Sequence, residues 1–135
     1  MFEKIPALDP DNTAFWTGGK HGQLLICHCH QCHTYHHPPT PHCSNCGNDV
    51  MAFVPVSGEG QIISYTVNWQ PWSGLQDIPF ILVVIELKEQ KGLWLMSNLV
   101  RCSTDQVTIG MCVTVDFIAH PQGIWLPVFH PKEGA

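Results

Sequence analysis

Two cysteine pairs, Cys29-His-Gln-Cys32 and Cys43-Ser-Asn-Cys46, stand ten residues apart. Each C-x-x-C pair can turn tightly enough to aim both sulfurs at one ion. Two such turns complete the tetrahedral four-thiolate shell that zinc favours, with bonds of about 2.3 Å. Such a shell has no open position for substrate, so the zinc it holds is a structural staple rather than a Lewis acid. Iron fits the same sulfurs and would make the protein an electron carrier. Gly47 directly follows the second pair and supplies the backbone freedom such a turn needs; His33 stands at the equivalent place after the first. Cys27 lies two residues before Cys29 and shares its face on an extended segment, but only Cys29 completes the spacing, so Cys27 reads as a packed thiol. Six histidines crowd the same stretch, at positions 28, 30, 33, 36, 37 and 42. They read as a polar surface around the metal knob, with a second metal site as the competing account.

Elsewhere the chain offers little that could react. H-E-x-x-H, G-x-S-x-G and the phosphate-loop pattern are all missing from the sequence, and its eleven acids are scattered. Cys102 and Cys112 sit at expected strand edges and read as packing residues. Tyr65, Trp69, Trp72 and Phe80 bracket the long connection Asn68–Pro79. Aromatic side chains on such a loop can stack on an adenine ring or line an acyl channel, and they are the substrate-binding candidates.

The elements that must position these residues follow from texture. Asp9-Pro10 has the form of an N-cap and first helical residue, which starts a short helix carrying Phe15 and Trp16 that Gly18-Gly19 and Gly22 should stop within about three turns. Gln23–Cys27 reads as a strand leading into the cysteines. Five β-rich runs follow, at 54–68, 80–87, 93–100, 113–119 and 124–129, separated by turn signals. Five strands without a long helical period among them predict a small closed barrel. Phe80-Ile-Leu-Val-Val-Ile is apolar at consecutive positions, which predicts cover on both faces of that strand, by the barrel interior and by either the helix or a partner. The expected organisation is mainly β: an N-terminal helical segment at 1–24, a zinc ribbon at 25–53 and a barrel at 54–135.

At 135 residues the chain has room for one core and an appended module. Its charged fraction of 13% is about half the usual share and suggests surface that is buried on assembly. The formal net charge is −5 and moves to −7 when four thiolates and one divalent ion are counted, which disfavours nucleic acid. An apolar run long enough to span a membrane is missing, and Met1–Pro6 lacks the pattern of a signal peptide, so a cytoplasmic protein is expected.

The order Phe15-Trp16, Gly22-Gln-Leu-Leu, the two cysteine pairs, Pro38-Pro39, Val56-Ser-Gly-x-Gly60, Ser64-Tyr-Thr66, Pro79-Phe80, Ser97-Asn98-Leu99 and Ile109-Gly110-Met111 resembles the zinc-ribbon OB-fold family long catalogued as a domain of unknown function. The resemblance implies a rubredoxin-like zinc ribbon followed by a C-terminal five-stranded OB-fold barrel, with zinc on Cys29, Cys32, Cys43 and Cys46. It also implies a non-catalytic subunit that assembles with a thiolase-like protein, a hot-dog-fold hydratase or an aldolase acting on acyl-CoA thioesters. That subunit would be part of a hetero-oligomer in which it helps complete the acyl-CoA site. The competing reading is a single-stranded nucleic-acid binder, since OB barrels and zinc ribbons also serve that purpose.

Overall fold

The computed structural model describes residue 8 and residues 12–69 and 79–132. A helix, α1 (Thr13–Thr17), is followed by a 3-10 turn over Gly18–His21. Then come β1 (Leu24–Cys29), β2 (Tyr35–His36), β3 (Met51–Val56), β4 (Glu59–Asn68), β5 (Phe80–Leu87), β6 (Trp94–Leu99), β7 (Cys112–Ala119) and β8 (Trp125–Pro131). The first three strands form an antiparallel sheet in the order β2-β1-β3. The last five close a barrel in the order β4-β5-β6-β8-β7. All neighbours in the barrel are antiparallel except β6 and β8, which meet in parallel through Leu99 and Phe129. The mainly β architecture, with a five-stranded barrel behind a cysteine-bearing sheet, is the one expected.

Several boundaries differ from the expectation. The cap foreseen at Asp9-Pro10 lies outside the described residues, and the helix begins after Asn12. The glycines stop the α-helix as expected, at Gly18, but a 3-10 turn follows over Gly18–His21 before Gly22 ends the segment in the left-handed conformation. The run 54–68 is two strands, not one. Gly58 adopts φ 77°, which cannot continue a pleat, and β3 turns back to pair with β1 from Leu24–Val56 to Cys29–Met51. Pairing therefore joins Val54–Val56 to the ribbon sheet. The two-residue strand β2 has no counterpart in the expected elements.

One core runs through both sheets. Leu24 and Ile26 from β1 pack in the same cluster as Ile62, Val83, Ile85, Leu95, Val113 and Phe129 of the barrel. Along β5 the inner residues Ile81, Val83 and Ile85 are buried, whereas the outer Leu82 and Val84 are half-buried. The outer cover expected for this strand is thus partial: α1 borders a groove whose lining includes Val84.

Two contacts fix the ribbon to the barrel. The turn between β5 and β6 reaches across to β2, where the Gln90 side chain accepts from the Tyr35 N–H (2.8 Å) and donates to the Tyr35 carbonyl (3.1 Å). Beside it, Glu89 accepts from the Ser57 N–H at 2.7 Å. The second contact is the 3-10 turn. A Cβ placed on Gly19 would lie 2.5 Å from the Phe117 ring and 2.6 Å from Trp125 Cβ, so only glycine lets this turn lie against β7 and β8. Gly19→Val is expected to destabilise the chain by about 1–3 kcal/mol through overpacking, read as a lower denaturant midpoint.

Candidate metal centre

Cys29 ends β1 and Cys32 lies in the loop from β1 to β2, and the loop before β3 carries Cys43 and Cys46. The two are built alike. After the first pair, the His33 N–H donates to the Cys29 carbonyl (2.9 Å); after the second, the Gly47 N–H donates to the Cys43 carbonyl (2.8 Å). The residue that closes each turn is left-handed, with φ 64° at His33 and φ 79° at Gly47. Glycine takes this conformation freely, and histidine tolerates it better than bulkier residues do.

These turns bring the four sulfurs within 4.8 Å of one another. Cys29 and Cys46 Sγ are 3.6 Å apart, and Cys32 and Cys43 Sγ are 3.5 Å apart. A tetrahedron of Zn–S bonds of about 2.3 Å has an edge of about 3.8 Å, so the spacing and the all-sulfur donor set fit a zinc ion. Cys29 and Cys43 are buried, Cys32 is half-buried and Cys46 faces solvent.

The surroundings favour thiolate unevenly. The Thr34 hydroxyl, followed by the Asn45 amide, holds Cys32 down to about 5, and the backbone N–H of Cys32 pulls Cys29 below the usual thiol range. Cys46 is pushed up to about 12: the Asn48 N–H favours its thiolate, but desolvation and the crowding of the other three sulfurs outweigh it. Four thiolates at this spacing repel one another, and a divalent cation removes that repulsion. His36 adds a neighbour that spacing alone does not reveal. It is buried on β2, with its Nε2 3.3 Å from Cys43 Sγ. A ring N–H aimed at a ligating sulfur orients and stabilises the thiolate. His36→Phe is expected to weaken zinc binding about 10-fold or more, measured by competition with a chromophoric chelator.

Among the described residues, the four cysteines are the one group of three or more metal-ligating side chains close enough to share an ion. Cys27 is outside that group, its Sγ turned toward the Thr40 carbonyl at 3.9 Å. The histidines do not gather around a second ion. The His28 ring instead packs on Tyr35 at 4.7 Å and His33 at 5.4 Å between centroids. Burial, followed by the neighbouring His33 and His30, holds His28 below the ordinary histidine value. Cys102 packs against the core, as expected, whereas Cys112 is exposed at the start of β7.

The aromatic candidates are strung along β4 and β5. Asn68 pairs with Phe80 and Tyr65 with Val83, so Tyr65 and Phe80 stand three rungs apart. Phe80 borders a groove with Asn98 and Arg101, and Tyr65 a recess with Leu82 and Met96. Trp69 is 62% exposed, and Trp72 lies outside the described residues.

Residues 16–52 match the ChsH2 rubredoxin-like zinc ribbon domain, and residues 53–117 match the ChsH2 C-terminal OB-fold domain. The chain is 36% identical over 126 residues to a probable enoyl-CoA hydratase alpha subunit of Thermomonospora curvata, covering 93% of this chain and 39% of that protein. The chain thus spans about two fifths of that relative's length. It is 28% identical over 96 residues to a DUF35 domain-containing scaffold protein of Methanocaldococcus jannaschii, covering 70% of this chain and 67% of the other. In three dimensions it is similar to a chain of the Ltp2-ChsH2(DUF35) aldolase, with a TM-score of 0.84 at 35% identity, covering 94% of this chain and 98% of that one.

Proposed function

This chain belongs to the ChsH2 family of rubredoxin-like zinc ribbon and OB-fold proteins, and from that membership we propose that it is a non-catalytic accessory subunit of an acyl-CoA-processing hydratase or aldolase. The observation that carries this reading is its likeness, over nearly the whole of both chains, to a chain of the Ltp2-ChsH2(DUF35) aldolase. The scaffold name of the methanogen relative points the same way.

In this reading Cys29, Cys32, Cys43 and Cys46 hold one zinc ion. The ion's chemistry is structural: it ties together two loops too small to bury a core of their own. The sheet β2-β1-β3 with its cysteine loops acts as the metal-stapled knob, and the barrel from β4 onward as the docking piece. The partner is a hydratase, an aldolase or a thiolase-like protein, and it supplies the reacting groups. Tyr65, Trp69, Trp72 and Phe80 are the side chains this chain offers to a coenzyme A thioester in the assembled complex. The setting is the cytoplasm, where thiols stay reduced; none of the described helices is long and apolar enough to cross a membrane.

The charge distribution argues against nucleic acid. OB barrels that bind oligonucleotides use the face of their second and third strands, here β5 and β6, which carries Glu86, Trp94 and Met96. Lys88 and Lys132 are instead engaged by Glu59, and Arg101 by Asp116.

Tagged protein drawn from its source cell is expected to bring a hydratase or aldolase with it. The purified chain alone is expected to turn over no acyl-CoA, with activity appearing when the co-purified protein is added. Turnover by the chain alone, or co-purification without any enzyme of this class, would overturn the reading.

A further inference from the structure

We propose that the outer face of β5 and β6, with the groove beside α1, is where this chain docks on its protein partner, with Trp94 as the central anchor. The proposal rests on the reading of the chain as an accessory subunit.

Trp94 and Met96 alternate on β6 with the buried Leu95 and Ser97, yet they are 55% and 69% exposed. Large apolar side chains at these exposures on adjacent outward positions mark an interaction surface more often than chance solvent exposure. Beside them lies a groove of about 580 Å³ lined by Phe15, Trp16, Pro38, Val84, Trp94 and Met96, among others, and no Lys, Arg, Asp or Glu lines it. Past Met96 a smaller recess shares Val84 and Met96 and reaches Ser64, Tyr65 and Thr66 on β4. The apolar strip therefore runs from the helix across three strands. That is the reach of a protein interface rather than of one small ligand.

Trp94 is also held in place before anything binds. Its Nε1–H donates to Glu86 Oε2 at 3.1 Å, and the same oxygen accepts from the Gly92 N–H at 3.1 Å. An indole already tethered by a hydrogen bond loses less freedom on docking than an untethered one, which suits an interface anchor.

The chemistry of the occupant follows from these features. Its centre is apolar, with a bulky aliphatic or aromatic side chain that enters the groove between α1 and β6. Its rim is basic, because this face carries the Glu86 carboxylate on a chain of formal net charge −5.

The test uses the full zinc-loaded chain and the enzyme that co-purifies with it. Trp94→Ala and Met96→Asp are expected to weaken the complex at least about tenfold, and Glu86→Gln by a smaller factor. Ile109→Asp, at a position 69% exposed on the connection between β6 and β7, should bind as the parent does. Zinc content and melting temperature establish that each variant is folded. Parent-like binding by both Trp94→Ala and Met96→Asp overturns the proposal and leaves the accessory-subunit reading standing. If no hydratase, aldolase or thiolase-like protein co-purifies, that reading falls first. The face is then judged on the chain alone by light scattering: a dimer dispersed by Met96→Asp reassigns it to a second copy, and a monomer at all concentrations removes the proposal. Displacement of bis-ANS from the groove by a small apolar acyl compound, with no effect of the Trp94 and Met96 variants on complex formation, likewise overturns it.

Discussion

Replacing Cys43 with serine is expected to abolish stoichiometric zinc and unfold the sheet β2-β1-β3. Cys43 Sγ is buried, meets Cys32 Sγ at 3.5 Å and lies 3.3 Å from the His36 ring, so a hydroxyl there loses both a ligand and the neighbour that orients it. Beyond the β1–β3 ladder and the contacts of Gln90 and Glu89, the loops that carry the cysteines have little else to hold them. β2 is two residues long, and the connection from His37 to Val50 is without strand or helix. Structural zinc contributes on the order of 10 kcal/mol to the folding of comparable small modules. Its loss therefore exceeds what the contacts of Leu24 and Ile26 with the barrel core can offset. Metal analysis and amide exchange should show zinc near zero and β1–β3 unprotected. Cys27→Ser serves as the control, since that sulfur points at the Thr40 carbonyl instead of the cluster. It should retain one zinc per chain. A metal-loaded, protected ribbon in Cys43→Ser would remove Cys43 from the ligand set, and loss of zinc in Cys27→Ser would put Cys27 in its place.

Phe129→Ala is expected to be the most damaging change in the barrel, at about 3–5 kcal/mol. Phe129 is fully buried and sits at the seam where the barrel closes: it pairs with Leu99 across the parallel β6–β8 contact, and its carbonyl accepts from the Val100 N–H at 2.8 Å. On the other side of β8 it faces Val115. Removing the ring leaves a cavity at the one place where sheet closure depends on a short parallel register instead of a long antiparallel ladder. Denaturant unfolding should show a lower midpoint. A loss below about 1 kcal/mol would mean that the seam can collapse around the missing ring.

The cysteine pairs were readable because their chemistry is local. Four sulfurs at fixed spacing imply a shared ion before any tertiary contact is known, and the residues after each pair already carry the left-handed turns. The barrel strands were readable for a similar reason: β-branched residues cluster between glycine and proline signals. Long-range contacts left no such trace. His36 is one of six nearby histidines, and only the pairing of β2 with β1 sets it against Cys43. Val54–Val56 resembles the start of β4, and only pairing with Leu24–Ile26 assigns it to the ribbon. The outward turn of Trp94 and Met96 was hidden because a strand that alternates Trp, Leu, Met and Ser does not declare which set faces the core; the closure of β6 onto β8 decides it. Tyr65 and Phe80 bracket one connection in the sequence, and only the register of β4 with β5 shows that they stand three rungs apart.

Gln90 gives the molecule an unusual economy. By matching both the N–H and the C=O of Tyr35, one side chain behaves like a fragment of a fourth strand beside β2, grown from a barrel turn and laid along the ribbon. Two residues on, Gly92 shares the Glu86 carboxylate with the Trp94 indole. A short lever thus links the sulfur cage to the outward-facing Trp94, and stripping the ion should be felt at that indole sooner than on the far wall of the barrel.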